Sequence, residues 1–167
     1  TQVQFKPSKK YFESLTFLVA PIRERLKLAS LHVEKLQLLF IVDKKAEVIN
    51  NTYSTYFQQT LLDNKSQDTT MIYKLQNKIK DEELEIVFCY QFRPPPNPKR
   101  QTGCVNLLSV DDGTHINLTW SVFKNVFEEI SKKEKLNFEP EDSLVGLRVH
   151  TALFLYNPEY TSQTKEK

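Results

Sequence analysis

Between Leu84 and Phe92 every second residue is apolar: Leu84, Ile86, Phe88, Tyr90 and Phe92 alternate with Glu85, Val87, Cys89 and Gln91. A two-residue period marks a strand, because successive side chains leave a pleated backbone on opposite faces. This commits the region to a sheet. The strand is expected to stop at Arg93, since Pro94, Pro95, Pro96 and Pro98 lack the amide donors of a ladder and hold the chain near polyproline II. Residues 94–98 should therefore be an irregular, stiff loop, made basic by Arg93, Lys99 and Arg100.

The pattern continues downstream. Asp112-Gly113 is a favoured pair for a two-residue type I′ hairpin turn. With the turn placed there, Ser109 faces Ile116, Leu107 faces Leu118 and Val105 faces Trp120, which makes one face apolar and predicts a buried Trp120. Val122, Phe123, Val126, Phe127 and Ile130 then share a helical stripe, with Ser121 as the expected N-cap. Pro140, between Glu139 and Glu141, marks the exit. Val145, Leu147, Val149, Thr151, Leu153 and Leu155 alternate as a long last strand.

The amino-terminal half reads as mostly helix. One helix is expected to start at Pro7-Ser8 and run to Val19, with Pro21 breaking or kinking it before a second piece through Leu28. Residues 36–42 form a compact apolar run of the buried-strand type, ended by Asp43-Lys44-Lys45. Helical spacing follows over 46–62, then a polar turn over 63–68, and Met71, Ile72, Leu75 and Ile79 suggest a short amphipathic helix.

The expected class is α+β, a helical first half followed by an antiparallel β-β-β-α-β unit. It would form an open sheet with flanking helices or a partial barrel. Over residues 84–156 that order is similar to the oligonucleotide-binding barrel, which carries a helix between its third and fourth strands and binds ligands at its connecting loops. The resemblance would make the proline loop a ligand-contacting connector. One domain is expected over 1–160, with 161–167 a polar tail, as in a domain cut from a longer chain. The 40% hydrophobic content of 167 residues suffices for a single core. No apolar run approaches the roughly 18–20 residues of a spanning helix.

The search for chemistry finds no catalytic, metal or cofactor constellation. His32, His115 and His150 lack partners at metal-ligand spacing, and Asp111 and Asp112 read as turn formers. The three glycines, Gly103, Gly113 and Gly146, stand apart and build no phosphate-cradling loop. Cys89 and Cys104, on strands joined by the proline loop and so possible neighbours, read as reduced, partly buried thiols. The sequons at Asn50, Asn64 and Asn117 read as chance triplets in an Asn- and Thr-rich chain.

The net charge is only +2, although residues 1–45 hold nine basic against four acidic side chains. These features predict a non-enzymatic protein-interaction or dimerisation domain of a larger intracellular, nuclear or cytoplasmic assembly, with Tyr90, Phe154 and Tyr156 as interface residues. The alternative is a nucleic-acid-binding domain. It would use Arg93, Lys99, Arg100, Lys44 and Lys45 on phosphates, with Tyr90 or Trp120 stacking on bases.

Overall fold

A computed structural model describes residues 3–11, 16–33, 35–62 and 69–158; the expected polar turn at 63–68 and the tail at 161–167 lie outside the described residues. The central feature is a five-stranded mixed sheet of order β3-β4-β7-β5-β6. Its strands are β3 (Tyr73–Ile79), β4 (Glu82–Tyr90), β5 (Gln101–Val105), β6 (Leu108–Val110) and β7 (Leu147–Phe154). Strand β7 runs antiparallel to β4 and parallel to β5. The sheet is open, so the barrel alternative fails, and the α+β class holds.

Helices cover both faces. Val87, Cys89, Cys104 and Ala152 pack with Leu28 of α1 (Val19–His32) and with Tyr56 and Phe57 of α2 (Tyr53–Thr60). On the other face Ile86, Phe88, Leu147 and Val149 pack against Trp120, Phe123 and Phe127 of α3 (Thr114–Glu134) and Leu144 of the short α4 (Pro140–Leu144). This double cover inverts one sequence expectation. The alternating apolar face of β4 is only half-buried, whereas Glu85, Val87, Cys89 and Gln91 on its other face are fully buried.

The largest departure lies at Asp112-Gly113, which is the entrance to α3 and not a hairpin turn. Asp112 Oδ1 accepts from the Gly113 amide at 2.7 Å and from Asn117 Nδ2 at 3.0 Å, organising the first helical turn. The expected third strand is thus helix. Ile116, Trp120, Phe123 and Phe127 sit at helical spacing and face the sheet, whereas Leu118, which a strand would bury with Ile116, is 60% exposed. Trp120 is half-buried. Ser121 lies within the helix and donates back to the Asn117 carbonyl at 3.0 Å, so it caps nothing.

The true hairpin turn is Asn106-Leu107, both at positive φ (48° and 64°), joining β5 to β6. Asn106 is clamped there by two hydrogen bonds to the backbone of Leu155. Leucine at positive φ breaks the turn code, which is why sequence pattern passes over it.

The first half is less helical than expected. No helix is seen in the described residues before Val19, and Pro21 sits in the first turn of α1, where a missing amide donor costs nothing. Strand β1 (Leu38–Val42) confirms the apolar run at 36–42. It is followed by β2 (Lys45–Ile49), paired through a turn at Asp43-Lys44 with φ of 48° and 64°. The expected helix over 46–62 is therefore a strand followed by α2, which Thr52 caps by accepting from the Thr55 amide at 3.2 Å. The expected helix at Met71–Ile79 is β3, an edge strand paired along its whole length with β4. Every residue of β3 is exposed, so its apolar spacing carried no information about burial. Residues 94–98 are irregular, as expected.

Gly146, just before β7, marks a close approach. A Cβ built there would lie 2.4 Å from the Gln91 carbonyl oxygen and 2.5 Å from the Tyr90 ring. The Gly146 carbonyl also accepts from the Gln91 amide at 2.8 Å, which fixes the two backbones together. Gly146→Ala should therefore destabilise the fold by about 1–3 kcal/mol, the usual cost of overpacking, read as a lower urea midpoint with an unchanged slope.

Candidate functional site

The polar residues of the double-covered sheet converge between α1, α2 and its buried face. His150, at the centre of β7, is fully buried, with Thr102 of β5 and Val87 of β4 as its cross-strand neighbours. Its Nδ1 lies 2.9 Å from Thr102 Oγ1 and its Nε2 lies 3.1 Å from His32 Nε2. The two imidazoles stack with centroids 5.2 Å apart. His32, the last residue of α1, turns its other nitrogen to Glu85 of β4, with Nδ1 to Oε1 at 2.8 Å. A carboxylate only accepts, so the proton of that bond belongs to His32 Nδ1.

Glu85 is 2% exposed and is held further by the Tyr53 hydroxyl, which donates to Oε1, and by Lys74 Nζ, 2.5 Å from Oε2. Lys74 reaches in from solvent and supplies the charge that a buried carboxylate requires. Cys104 closes the group, its Sγ 3.8 Å from His32 Nε2. The ligand atoms of His32, Cys104 and His150 all lie within 4.8 Å of one another.

Burial governs the protonation of His150 and the two cysteines. Desolvation, with the neighbouring His32 and His115 adding to it, pushes His150 down to about 3 and keeps it neutral. Burial and the nearby Glu85 push the Cys104 thiol up to about 12. Cys89 is pushed up to about 11, also by burial. Both cysteines are free thiols, and β7 separates their strands, so they are not the neighbours that the connecting loop suggested.

Next to His150 but two residues earlier on the same face, Arg148 is fully buried. Its guanidinium donates to the carbonyls of Leu61, Val145 and Leu147 at 3.1, 3.0 and 2.9 Å, and to Gln91 Oε1 at 2.6 Å. Leu61 caps the C-terminus of α2 and Val145 that of α4, so the cation sits against the negative ends of two helices. Burial lowers its proton affinity.

The residues singled out from sequence are not gathered into one site. Arg93, Lys99 and Arg100 are exposed on the proline loop. Arg100 lines a shallow groove of about 540 Å³ with Pro98, Gln101, Asn117, Trp120 and Ser121. Lys44 and Lys45 stand on the hairpin of the separate two-stranded sheet. Tyr90 is half-buried against α3 and α4 and meets Phe92 edge-on at 5.5 Å. Phe154 packs inward against His32, and Tyr156 is 89% exposed. Sequence reading treated the histidines as isolated. His32 and His150 are 118 positions apart, and only strand order brings them together.

Comparison with solved structures defines the class of this fold. The 43K ATPase domain of Thermus thermophilus gyrase B, solved with an aminocoumarin, superposes with a TM-score of 0.66 at 23% identity, over 93% of this chain and 44% of that one. The B-subunit of the DNA gyrase from Myxococcus xanthus gives 0.71 at 14% identity, over 96% and 47%. The topoisomerase IV ATP-binding domain of Francisella tularensis, bound to a small-molecule inhibitor, gives 0.66 at 21% identity, over 96% and 45%.

The DNA gyrase B family model matches residues 42–167, most of the chain, and the chain belongs to that family. DNA gyrase B of Thermotoga maritima is 23% identical over 180 residues, spanning 100% of this chain and 28% of that protein. The chain thus spans less than a third of this curated relative. Family membership overturns the expectation of a non-enzymatic interaction or dimerisation domain, and with it the oligonucleotide-binding alternative. Nothing in these relatives supports a nuclear setting.

Two outcomes follow from the buried polar groups. Arg148→Met, close in volume but without donors, orphans buried oxygens on Leu61 and Gln91 and should cost at least about 2 kcal/mol in chemical denaturation. On the α3 side, burial lowers the proton affinity of His115 below its usual 6.5. The unfolded chain then binds a proton that the fold refuses, so this contribution is complete above about pH 6.5 and is lost as the pH falls below it. His115→Gln should make the stability of the chain less steep in pH below that value, by up to one proton, in urea titrations across pH.

Proposed function

We propose that this chain forms part of the ATP-hydrolysing region of a DNA topoisomerase subunit. The observation that carries this reading is the family match over 42–167, supported by a shared fold with ATPase and ATP-binding domains over more than nine-tenths of the chain. With three isolated glycines, the chain offers no loop to wrap nucleotide phosphates through backbone amides. We assign that loop to the rest of the enzyme, since this chain spans under half of each matched structure. Its own part is to support and complete the nucleotide site.

Such a segment needs a surface to pack against the remaining enzyme. Leu118, Val122, Val126 and Ile130 form a row at four-residue spacing along α3, each between 42% and 60% exposed. We take that row as the packing surface. The exposed cations Arg93, Lys99 and Arg100 are the side chains offered to phosphate, and partner subunits and DNA are the macromolecules such an enzyme works with. Residues 1–160 are taken as one structural unit. No helix among the described residues is long and apolar enough to cross a membrane, and ATP-driven work on DNA assigns the protein to the cell interior.

The natural gene product should hydrolyse ATP in a coupled assay, with the rate responding to added DNA. A folded product that neither binds nor hydrolyses ATP overturns the reading.

A further inference from the structure

Helix α1 is weakly anchored by apolar contacts, since Leu28 is its sole fully buried residue, yet its last side chain is fully enclosed in the buried polar cluster of the sheet. There His32 Nε2 and His150 Nε2 face each other at 3.1 Å, and Cys104 Sγ lies 3.8 Å from the former. A tetrahedral zinc with bonds of about 2.05 Å to nitrogen and 2.3 Å to sulfur separates its ligands by about 3.3 Å (N to N) and 3.6 Å (N to S). The His32–His150 and His32–Cys104 spacings are within about 0.3 Å of these, and the Cys104 and His150 ligand atoms lie within 4.8 Å of each other, so side-chain shifts are what would close the site.

The outer contacts match as well. A metal-bound imidazole usually gives its other N–H to a carboxylate, a backbone carbonyl or a water, which orients the ring and raises its basicity, and a hydroxyl oxygen can accept in the same way. His32 Nδ1 meets Glu85 at 2.8 Å and His150 Nδ1 meets Thr102 at 2.9 Å. In the metal-free cluster Thr102 can donate to His150 Nδ1 and His150 Nε2 to His32, which closes a hydrogen-bonded chain. In the other tautomer, with His150 Nδ1–H given to Thr102, the two Nε2 lone pairs point at each other beside a thiol and are free to share a cation. Lys74 offsets the charge of Glu85, so a divalent ion with one thiolate leaves a small net positive charge.

We propose that His32, His150 and Cys104 bind a borderline-soft divalent cation of the zinc class, which ties the end of α1 to β5 and β7. Binding exchanges the Cys104 thiol proton, released to solvent, for the metal–sulfur bond. A water completes the tetrahedron. Because the three ligand side chains are buried, the ion serves as a latch between helix and sheet. The proposal does not depend on the assignment of ATPase function.

The test uses chelator-treated chain titrated with Co2+ and then Zn2+. The expected result is one Co2+ per chain, with visible ligand-field bands and a near-ultraviolet thiolate charge-transfer band, displaced one for one by Zn2+. Cys104→Ser should abolish the charge-transfer band and Cys89→Ser should keep it. Thr102→Val should weaken Zn2+ binding by about 10–100-fold, as loss of an outer-shell contact does. Substoichiometric binding by folded wild-type chain, or a charge-transfer band that survives Cys104→Ser, would overturn the proposal. Should Cys104→Ser fail to fold, the wild-type and Cys89→Ser spectra decide, since absence of the band in either defeats it.

Discussion

The structure depends on β7 being covered on both faces. Every residue from Leu147 to Ala152 is buried, three of them apolar toward one helical layer or the other, and Arg148, His150 and Thr151 polar. A polar group buried without a partner costs about 1–3 kcal/mol and a charge costs more. The elements around β7 are placed where they satisfy that demand. The ends of α2 and α4 deliver carbonyls to Arg148, β5 delivers Thr102 to His150, and α1 delivers His32. A sheet with β7 at an edge would leave these groups to water and would not need the helices where they are.

This arrangement separates the two faces by chemistry. The α3 side is an ordinary apolar interface in which Phe88 meets Phe123 edge-on at 5.0 Å and Trp120 fills the margin. The α1 and α2 side mixes an apolar cluster with a hydrogen-bonded chain from Lys74 through Glu85, His32 and His150 to Thr102. Such networks specify geometry strongly, because each member fixes the orientation of the next and no member can slip without stranding another. Register is correspondingly well defined across β4, β7 and β5, where a one-residue shift would move Arg148 and His150 to the apolar side.

Membership in the DNA gyrase B family gives this scaffold its setting. The matched relatives extend well beyond the region shared with this chain, and the structure leaves an apolar row on α3 and a groove by Arg100 open. The isolated glycines, which on their own argued against an enzyme, do not outweigh the family match over residues 42–167.

Local order was legible wherever it is set by neighbours in the chain. The strand at Leu84–Tyr90, the proline interruption, the apolar run of β1 and the last strand all follow from periodicity and backbone restriction, which act within a few residues. The residues from Thr114 to Trp120 were misread because Ile116, Leu118 and Trp120 satisfy a strand period while Ile116, Trp120, Phe123 and Phe127 satisfy a helical one, and only packing against the sheet chooses between them. The turn at Asn106-Leu107 and the edge strand β3 escaped for the same reason, since pairing with β5, β6 and β4 overrides weak local preference. The polar core was beyond reach altogether. His32, Glu85, Cys104 and His150 meet because β7 inserts between β4 and β5, a matter of strand order that no local pattern encodes, and burial then makes ordinary side chains act as one group.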